Sequence, residues 1–139
     1  MNVALTIVGG LGLLVLGQIV IRSFIDPIYE LRKLRGEIAD ALIFHANVYM
    51  NPSPRFLTDE IIETRNALRS LGSQLEAKSY AVPFYRLFSF IAAVPTLESI
   101  TRARSSLIGL SNSLQSDSIE HNEKRRKDII EALNLKIAD

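Results

Sequence analysis

The uncharged apolar run from Val3 to Ile21 constrains this chain more than any other stretch. A helix of that length is about 28 Å long, close to the hydrocarbon thickness of a bilayer. A cleaved secretory signal would need a basic flank and a cleavage site of small residues, and the sequence offers neither. Buried core helices rarely stay uncharged for so long. The run therefore predicts one transmembrane helix.

Basic side chains flank only the C-terminal side of this run. The basic residues that follow it are Arg22, Arg32, Lys33 and Arg35. The positive-inside rule then predicts that the N-terminus is outside and that the rest of the chain is cytoplasmic. We expect two parts, a transmembrane helix over residues 1–25 and a cytoplasmic helical bundle over residues 26–139.

Small residues inside the run form one face. Thr6, Gly10 and Gly17 lie close together on a helical surface, and small residues let helix backbones approach closely in lipid. They predict a packing face for another membrane helix, although glycine is also simply commoner in membrane helices than in soluble ones. Gln18, the one strongly polar side chain of the run, would bond a partner helix or reach the interface.

The composition excludes several classes of function. The 139 residues leave room for one domain beyond the span, and 16 basic against 15 acidic residues give a net charge of +1. Nothing in that balance attracts nucleic acid. The chain has no cysteine, so disulfide and thiol chemistry are absent.

Apolar periodicity and helix-capping residues predict an all-α bundle of four to five helices after the span. Helices are expected from Pro27 to about Tyr49, from about Thr58 to Pro83, from Thr96 to about Leu114, and from Ile119 to about Ile137. Asp26 is the expected cap of the first, which either continues the membrane helix with a bend or leaves along the surface. Turns are expected at Asn51–Pro54 and Ser116–Ser118.

The segment from Tyr80 to Pro95 is the aromatic centre of the chain, with Arg86 as its one charge. It is too short to span a bilayer. We favour a core helix; the alternative is a helix lying in the membrane interface with its aromatic rings among the headgroups. On that alternative, the residues at the interface are Arg22, Phe84, Tyr85 and Phe88.

A patch of small residues, Ser105 to Leu114, interrupts the next helix. Serine and glycine are mediocre helix formers, so the patch indicates either close helix packing, through Ser105, Gly109 and Asn112, or exposed filler.

The sequence contains no recognisable catalytic constellation. His45 and His121 are the only histidines and fall on different helices, and His45 lies in an apolar stripe where a hydrogen-bonded core role is favoured. No metal-ligand spacing and no G-x-S-x-G turn are present. The basic run Lys124–Lys127 is flanked by acidic residues, so a solvated face is favoured over binding to anionic lipid or RNA. We predict no catalytic, cofactor-binding or metal residue and no enzymatic activity.

Two stretches carry a resemblance to a known group. The residues Phe24–Tyr49, together with S-S-L-I-G-L-S-N-S-L at 105–114, resemble small uncharacterised bacterial single-pass membrane proteins with an N-terminal membrane helix and a cytoplasmic helical domain. The resemblance implies a bacterial cytoplasmic membrane, but no activity, cofactor or catalytic residue.

These observations favour a non-catalytic function. We expect a self-associating or accessory subunit of a membrane assembly, whose partners are the lipid bilayer and other membrane proteins or further copies of itself. Two alternatives stay open. One is an effector, for example in phage defence, that oligomerises and perturbs the bilayer; the other is a membrane-tethered sensor that binds a ligand between its helices.

Overall fold

The computed structural model describes residues 3–52, 57–115 and 118–137, and within these ranges the chain is helical and has no strand. The elements are α1 (Val3–Val20), a π-helical turn (Ile21–Ile25), α2 (Asp26–Phe44), α3 (Ala46–Met50), α4 (Asp59–Ala81), α5 (Tyr85–Phe90), α6 (Leu97–Asn112) and α7 (Ile119–Leu133). The predicted all-α class, an apolar N-terminal helix followed by a bundle, is confirmed. Parts of the two predicted turns, at 53–54 and 116–117, lie outside the described residues.

The membrane-length helix and the first bundle helix are continuous. One helix runs from Val3 to Phe44, 42 residues. The prediction that Asp26 caps the start of a separate helix is therefore wrong. Instead, its backbone N–H donates to the Ile21 carbonyl five residues back. Proline within an α-helix removes a hydrogen bond and clashes with the preceding turn; here the π-turn immediately before Pro27 changes the hydrogen-bond pattern and the helix continues.

Four long helices, α2, α4, α6 and α7, make the bundle and alternate in direction. Lys78 near the end of α4 bonds Glu30 near the start of α2, with 2.7 Å between nitrogen and oxygen. Arg69 on α4 bonds Asn112 at the end of α6. We call the end next to the π-turn the proximal end and the opposite end the distal end.

Leucine and isoleucine fill the bundle core. Fully buried side chains include Leu31, Leu34, Ile38, Leu42, Leu68, Leu75, Leu107, Leu110, Leu114, Ile129 and Leu133. They recur at three- and four-residue steps along each helix, as an amphipathic pattern requires.

Two helix starts follow the sequence prediction. The side chain of Thr58 accepts a hydrogen bond from the Ile61 backbone N–H at 3.3 Å, and that of Thr96 accepts one from Ser99 at 3.1 Å. Each bond satisfies a backbone donor that the first turn of a helix leaves without a partner.

Three other predictions about helix bounds are wrong. The first bundle helix breaks at His45, whose ring bonds the Thr64 hydroxyl at 2.8 Å; His45 itself is buried, as its core interpretation predicted. The final helix ends at Leu133, because Asn134 adopts the left-handed conformation that closes many helices. The aromatic segment is not one core helix, since Tyr80 and Ala81 end α4 and only Tyr85–Phe90 forms a further short helix.

A buried polar cluster holds the distal end together. Asn122 on α7 is fully buried; it donates to the Tyr49 carbonyl at 2.8 Å and accepts from the Ser113 hydroxyl. Tyr49 in turn donates to the Leu42 carbonyl. Because burial without a partner is costly for such groups, the cluster fixes α3 and the end of α6 against α7.

Candidate membrane-proximal site

The helix α1 buries none of its residues against the described part of the bundle. All of its 18 residues are exposed, and a Cβ built on any of its four glycines would meet nothing within 4 Å. Among the described residues it is the one helix long and apolar enough to cross a membrane. The site of interest lies where this helix enters the bundle.

The π-turn carries an aromatic ring onto the aromatic segment. The ring of Phe24 stacks parallel to that of Phe84, with 6.1 Å between centroids, and meets Phe88 at 6.4 Å in a tilted arrangement. Phe84 has a positive φ of 50°, which is uncommon for a bulky residue. Phe84 directly precedes α5, so the start of this helix lies beside the π-turn.

The short helix α5 divides its apolar residues between core and solvent. Phe84, Leu87, Phe90 and Ile91 are exposed and Phe88 is half-buried; Tyr80, near the end of α4, is also exposed. Tyr85, which the interface alternative placed among the headgroups, is instead buried at 8% exposure, as the favoured core interpretation expects.

The hydroxyl of Tyr85 explains that burial. It donates to the Pro95 carbonyl at 2.7 Å, so the phenol enters the core with its polar atom satisfied. Burial raises the pKa of Tyr85 to about 12, because the charged phenolate is poorly solvated there.

Cations of α2 and α4 brace the same end of the bundle. The guanidinium of Arg32 donates to the Ala93 carbonyl at 3.2 Å, and that of Arg35 donates to the Leu133 carbonyl at the end of α7. Burial lowers the pKa of Arg35. The hydrogen bond from Lys78 holds the pKa of Glu30 below its ordinary value. Hydrogen bonds therefore join α2 to α4, to the segment after α5 and to the end of α7.

An apolar groove of about 270 Å³ lies between the start of α2 and the end of α5. Its lining includes Ile25, Ile28, Phe88 and Ile91, with Arg32 at one side. The groove adjoins the π-turn, so apolar surface continues from α1 onto the bundle.

The residues predicted as helix-packing contacts fall into two groups. On α1, Thr6, Gly10, Gly17 and Gln18 are all exposed, and a Cβ on either glycine would meet nothing within 4 Å. On α6, Ser105 is exposed, whereas the other two contact the bundle itself: a Cβ on Gly109 would lie 2.7 Å from Arg125 Nε, and Asn112 accepts from Arg69 at 2.9 Å. The structure does not bring the two groups together.

The basic run on α7 is less uniform than a solvated face. Lys124 and Lys127 are exposed, but Arg125 and Arg126 are half-buried. Arg125 packs over Gly109 on α6, so part of this run stabilises the bundle.

The proximal end presents mainly apolar and aromatic side chains, which suit contact with an apolar or interfacial environment. Within the described ranges, no three His, Cys, Asp or Glu side chains group in a way that could hold a metal ion. Sequence reasoning did not single out Phe24, Leu87 or Ile91 as residues of this site. An aromatic residue directly after the apolar run was the available signal for Phe24.

Comparison with protein-family models, curated proteins and solved structures finds no match to this chain. The resemblance to small bacterial membrane proteins therefore stays a prediction, and the functional argument rests on the geometry alone.

Proposed function

We propose that this protein is a non-catalytic, single-pass membrane subunit that associates through α1 with another membrane helix, from a second copy or from a different protein. The observation that carries the proposal is the contrast in burial. Every long helix of the bundle buries an apolar stripe, while none of the 18 residues of α1 is buried.

Lipid accounts for the apolar surface of α1 but does not by itself bring two helices together, because lipid tails are as apolar as leucine. Close packing supplies that attraction. The surroundings of Gly10 and Gly17 are open, so a second backbone can approach the helix at these two positions without displacing a side chain.

The continuous helix supports a subunit that links membrane and bundle. α1 passes through the π-turn into α2, which contributes Leu31, Leu34 and Ile38 to the core. A helix partner bound in the membrane would therefore hold the bundle directly, without a flexible linker between them.

The proposed orientation places the bundle in the cytoplasm of a bacterial cell, with the N-terminus outside. Arg22, Arg32, Lys33 and Arg35 on the bundle side support it. A reporter active only outside the cytoplasm, fused after Asp139, should be silent, and the same reporter fused before Val3 should be active. The reverse pattern would overturn the orientation.

The association is tested with a pair of double variants in mild detergent. Gly10→Ile with Gly17→Ile adds bulk to the open face without reducing hydrophobicity, whereas Leu5→Ile with Val15→Ile alters positions that lie largely away from that face. We expect the glycine variant to lose assembly mass or copurifying partners and the control to keep them. Equal assembly of both variants and the parent would contradict a glycine-mediated contact.

The same preparations separate the proposal from its alternatives. An accessory subunit should copurify with fixed partners at a defined mass. An effector that perturbs the bilayer should instead arrest growth on overproduction, and the glycine variant should relieve that arrest if oligomerisation drives it. A tethered sensor should gain thermal stability from a small ligand, independently of either variant.

A further inference from the structure

The proximal end of the bundle exposes a set of large apolar side chains within twelve residues of the chain, which we call the proximal patch. It consists of Tyr80, Phe84, Leu87, Phe90 and Ile91. Their exposed fractions run from 59% for Leu87 to 88% for Phe90. Single exposed apolar residues are ordinary, but five large ones at the same end of the bundle indicate a surface that is covered in use.

The position of the patch identifies what covers it. Phe84 stacks on Phe24, and Phe24 follows the last residue of α1, Val20, by four positions, or no more than about 6 Å along the helix axis. The patch therefore lies at the level where the apolar surface of α1 ends. The groove lined by Ile25 and Ile91 adds further apolar surface between the π-turn and the end of α5.

The charge of the segment fits the same environment. From Tyr80 to Thr96 the chain has no acidic residue, and Arg86 is its one cation. Arg22, on the π-turn beside it, is also exposed. Aromatic rings combined with arginine are characteristic of the headgroup layer, where rings sit at the acyl boundary and guanidinium groups reach the phosphates.

We infer that the proximal patch lies in the headgroup layer of the bilayer and gives the bundle a second membrane contact beside α1. The inference rests on the proposed function in one respect, since it requires α1 to span the bilayer. It goes further by fixing how the bundle is held: with both contacts engaged, the segment 80–91 rests on the membrane surface and the distal end points away from it.

The chain contains no tryptophan, so a single introduced tryptophan reports its own depth. Three variants of the full chain are compared in vesicles of phosphatidylcholine and phosphatidylglycerol: Phe90→Trp in the patch, Leu14→Trp in α1, and Phe44→Trp as the matched control. Phe44 is also an exposed phenylalanine, but it lies about 27 Å from Asp26 along α2. Lipids carrying bromine near the headgroup or near the chain end quench tryptophan at the corresponding depth.

We expect Phe90→Trp to be quenched several-fold more by the shallow bromines than Phe44→Trp. Leu14→Trp should be quenched mainly by the deep bromines. Leu87→Trp, a second patch position, should repeat the result for Phe90→Trp, and a far-UV circular dichroism spectrum like that of the parent establishes that each variant is folded.

The outcomes separate the two proposals. Quenching of Leu14→Trp without quenching of Phe90→Trp or Leu87→Trp would leave the membrane span intact and overturn the second contact; the patch would then be covered by protein. No quenching of Leu14→Trp would overturn both. Equal shallow quenching of Phe44→Trp and Phe90→Trp would mean that the bundle lies flat, which also contradicts the inference.

Discussion

The two halves of the 42-residue N-terminal helix contain the same apolar residue types but differ in how much of them is buried. Leu13 in α1 is 74% exposed, whereas Leu31 in α2 is fully buried. Apolar residues surround α1 on every side, but in α2 they occupy one stripe and charged residues occupy the rest. The difference teaches that the arrangement of leucines, more than their number, determines whether a helix buries them in a protein core or leaves them exposed.

The largest expected effect tests that contrast directly. Leu31→Ala should lower the free energy of unfolding of the bundle by about 2–5 kcal/mol, because it leaves a cavity in a closely packed core. Leu13→Ala removes the same atoms from α1 and should change it by less than about 0.5 kcal/mol. Urea unfolding in detergent, followed by circular dichroism, measures both. Equal losses would mean that α1 packs against the bundle after all.

A second test concerns the polar core, which α1 lacks. Asn122→Ala should cost about 1–3 kcal/mol of unfolding free energy, because it leaves the buried Tyr49 carbonyl without its partner and removes one of the two hydrogen bonds of the Ser113 hydroxyl. Asn112→Ala is the control, since its bond to Arg69 is exposed. The same urea titration measures the free energy of unfolding of both variants. An equal loss of stability in Asn112→Ala and Asn122→Ala would argue against a special role of the buried cluster.

A smaller effect appears only at alkaline pH. The folded pKa of Tyr85, about 12, lies above its ordinary value of 10, so the folded state keeps the proton that the unfolded state releases. The resulting stability is complete below pH 10 and is lost as the pH rises through 12. After allowance for residual solvent contact, the loss should be on the order of 1 kcal/mol.

Tyrosinate absorbance and thermal midpoints recorded across this pH range measure it. Tyr85→Phe should start from a lower stability, because it loses the bond to Pro95, but it should decline less steeply above pH 10. If the stability of the variant and of the parent fell equally with pH, the alkaline transition would belong to a group other than Tyr85.

The smallest effect distinguishes glycines with open surroundings from glycines that contact a neighbour. A Cβ at Gly36 on α2 would meet nothing within 4 Å, so Gly36→Ala should stabilise the bundle by roughly 0.5–1 kcal/mol through helix propensity. Gly109→Ala should stabilise the bundle less than Gly36→Ala, or destabilise it, because the side chain of Arg125 must move. Thermal melts of the two variants provide the comparison, and an equal gain at both sites would show that Arg125 adapts freely.

The sequence predicted the features of the fold that depend on local chemistry. The all-α class, the helix starts at Thr58 and Thr96, and the core role of His45 followed from spacing, caps and apolar stripes. Two of the three bounds that it missed depend on distant contacts. The break at His45 involves Thr64, and the shape of the aromatic segment involves Phe24, sixty residues before Phe84.

The candidate site was only partly predictable for the same reason. An aromatic segment with a single charge indicated either core or interface, and the structure contains both, with Tyr85 inside and Phe90 outside. Neighbouring residues of one short helix take opposite environments here. A periodic pattern needs several turns to indicate a face, and α5 has six residues.

The π-turn also sets a direction around the helix axis. A straight α-helix turns about 100° per residue, which would place Gly17 and Leu31 within roughly 40° of the same side. Hydrogen bonds that span five residues turn the chain less per residue, so the π-turn swings the buried face of α2 further from the glycine face. Inserting or deleting one residue at 21–25 would therefore rotate the bundle about the helix axis relative to the glycine face of α1. The residues of the glycine face and of the buried face of α2 would stay the same.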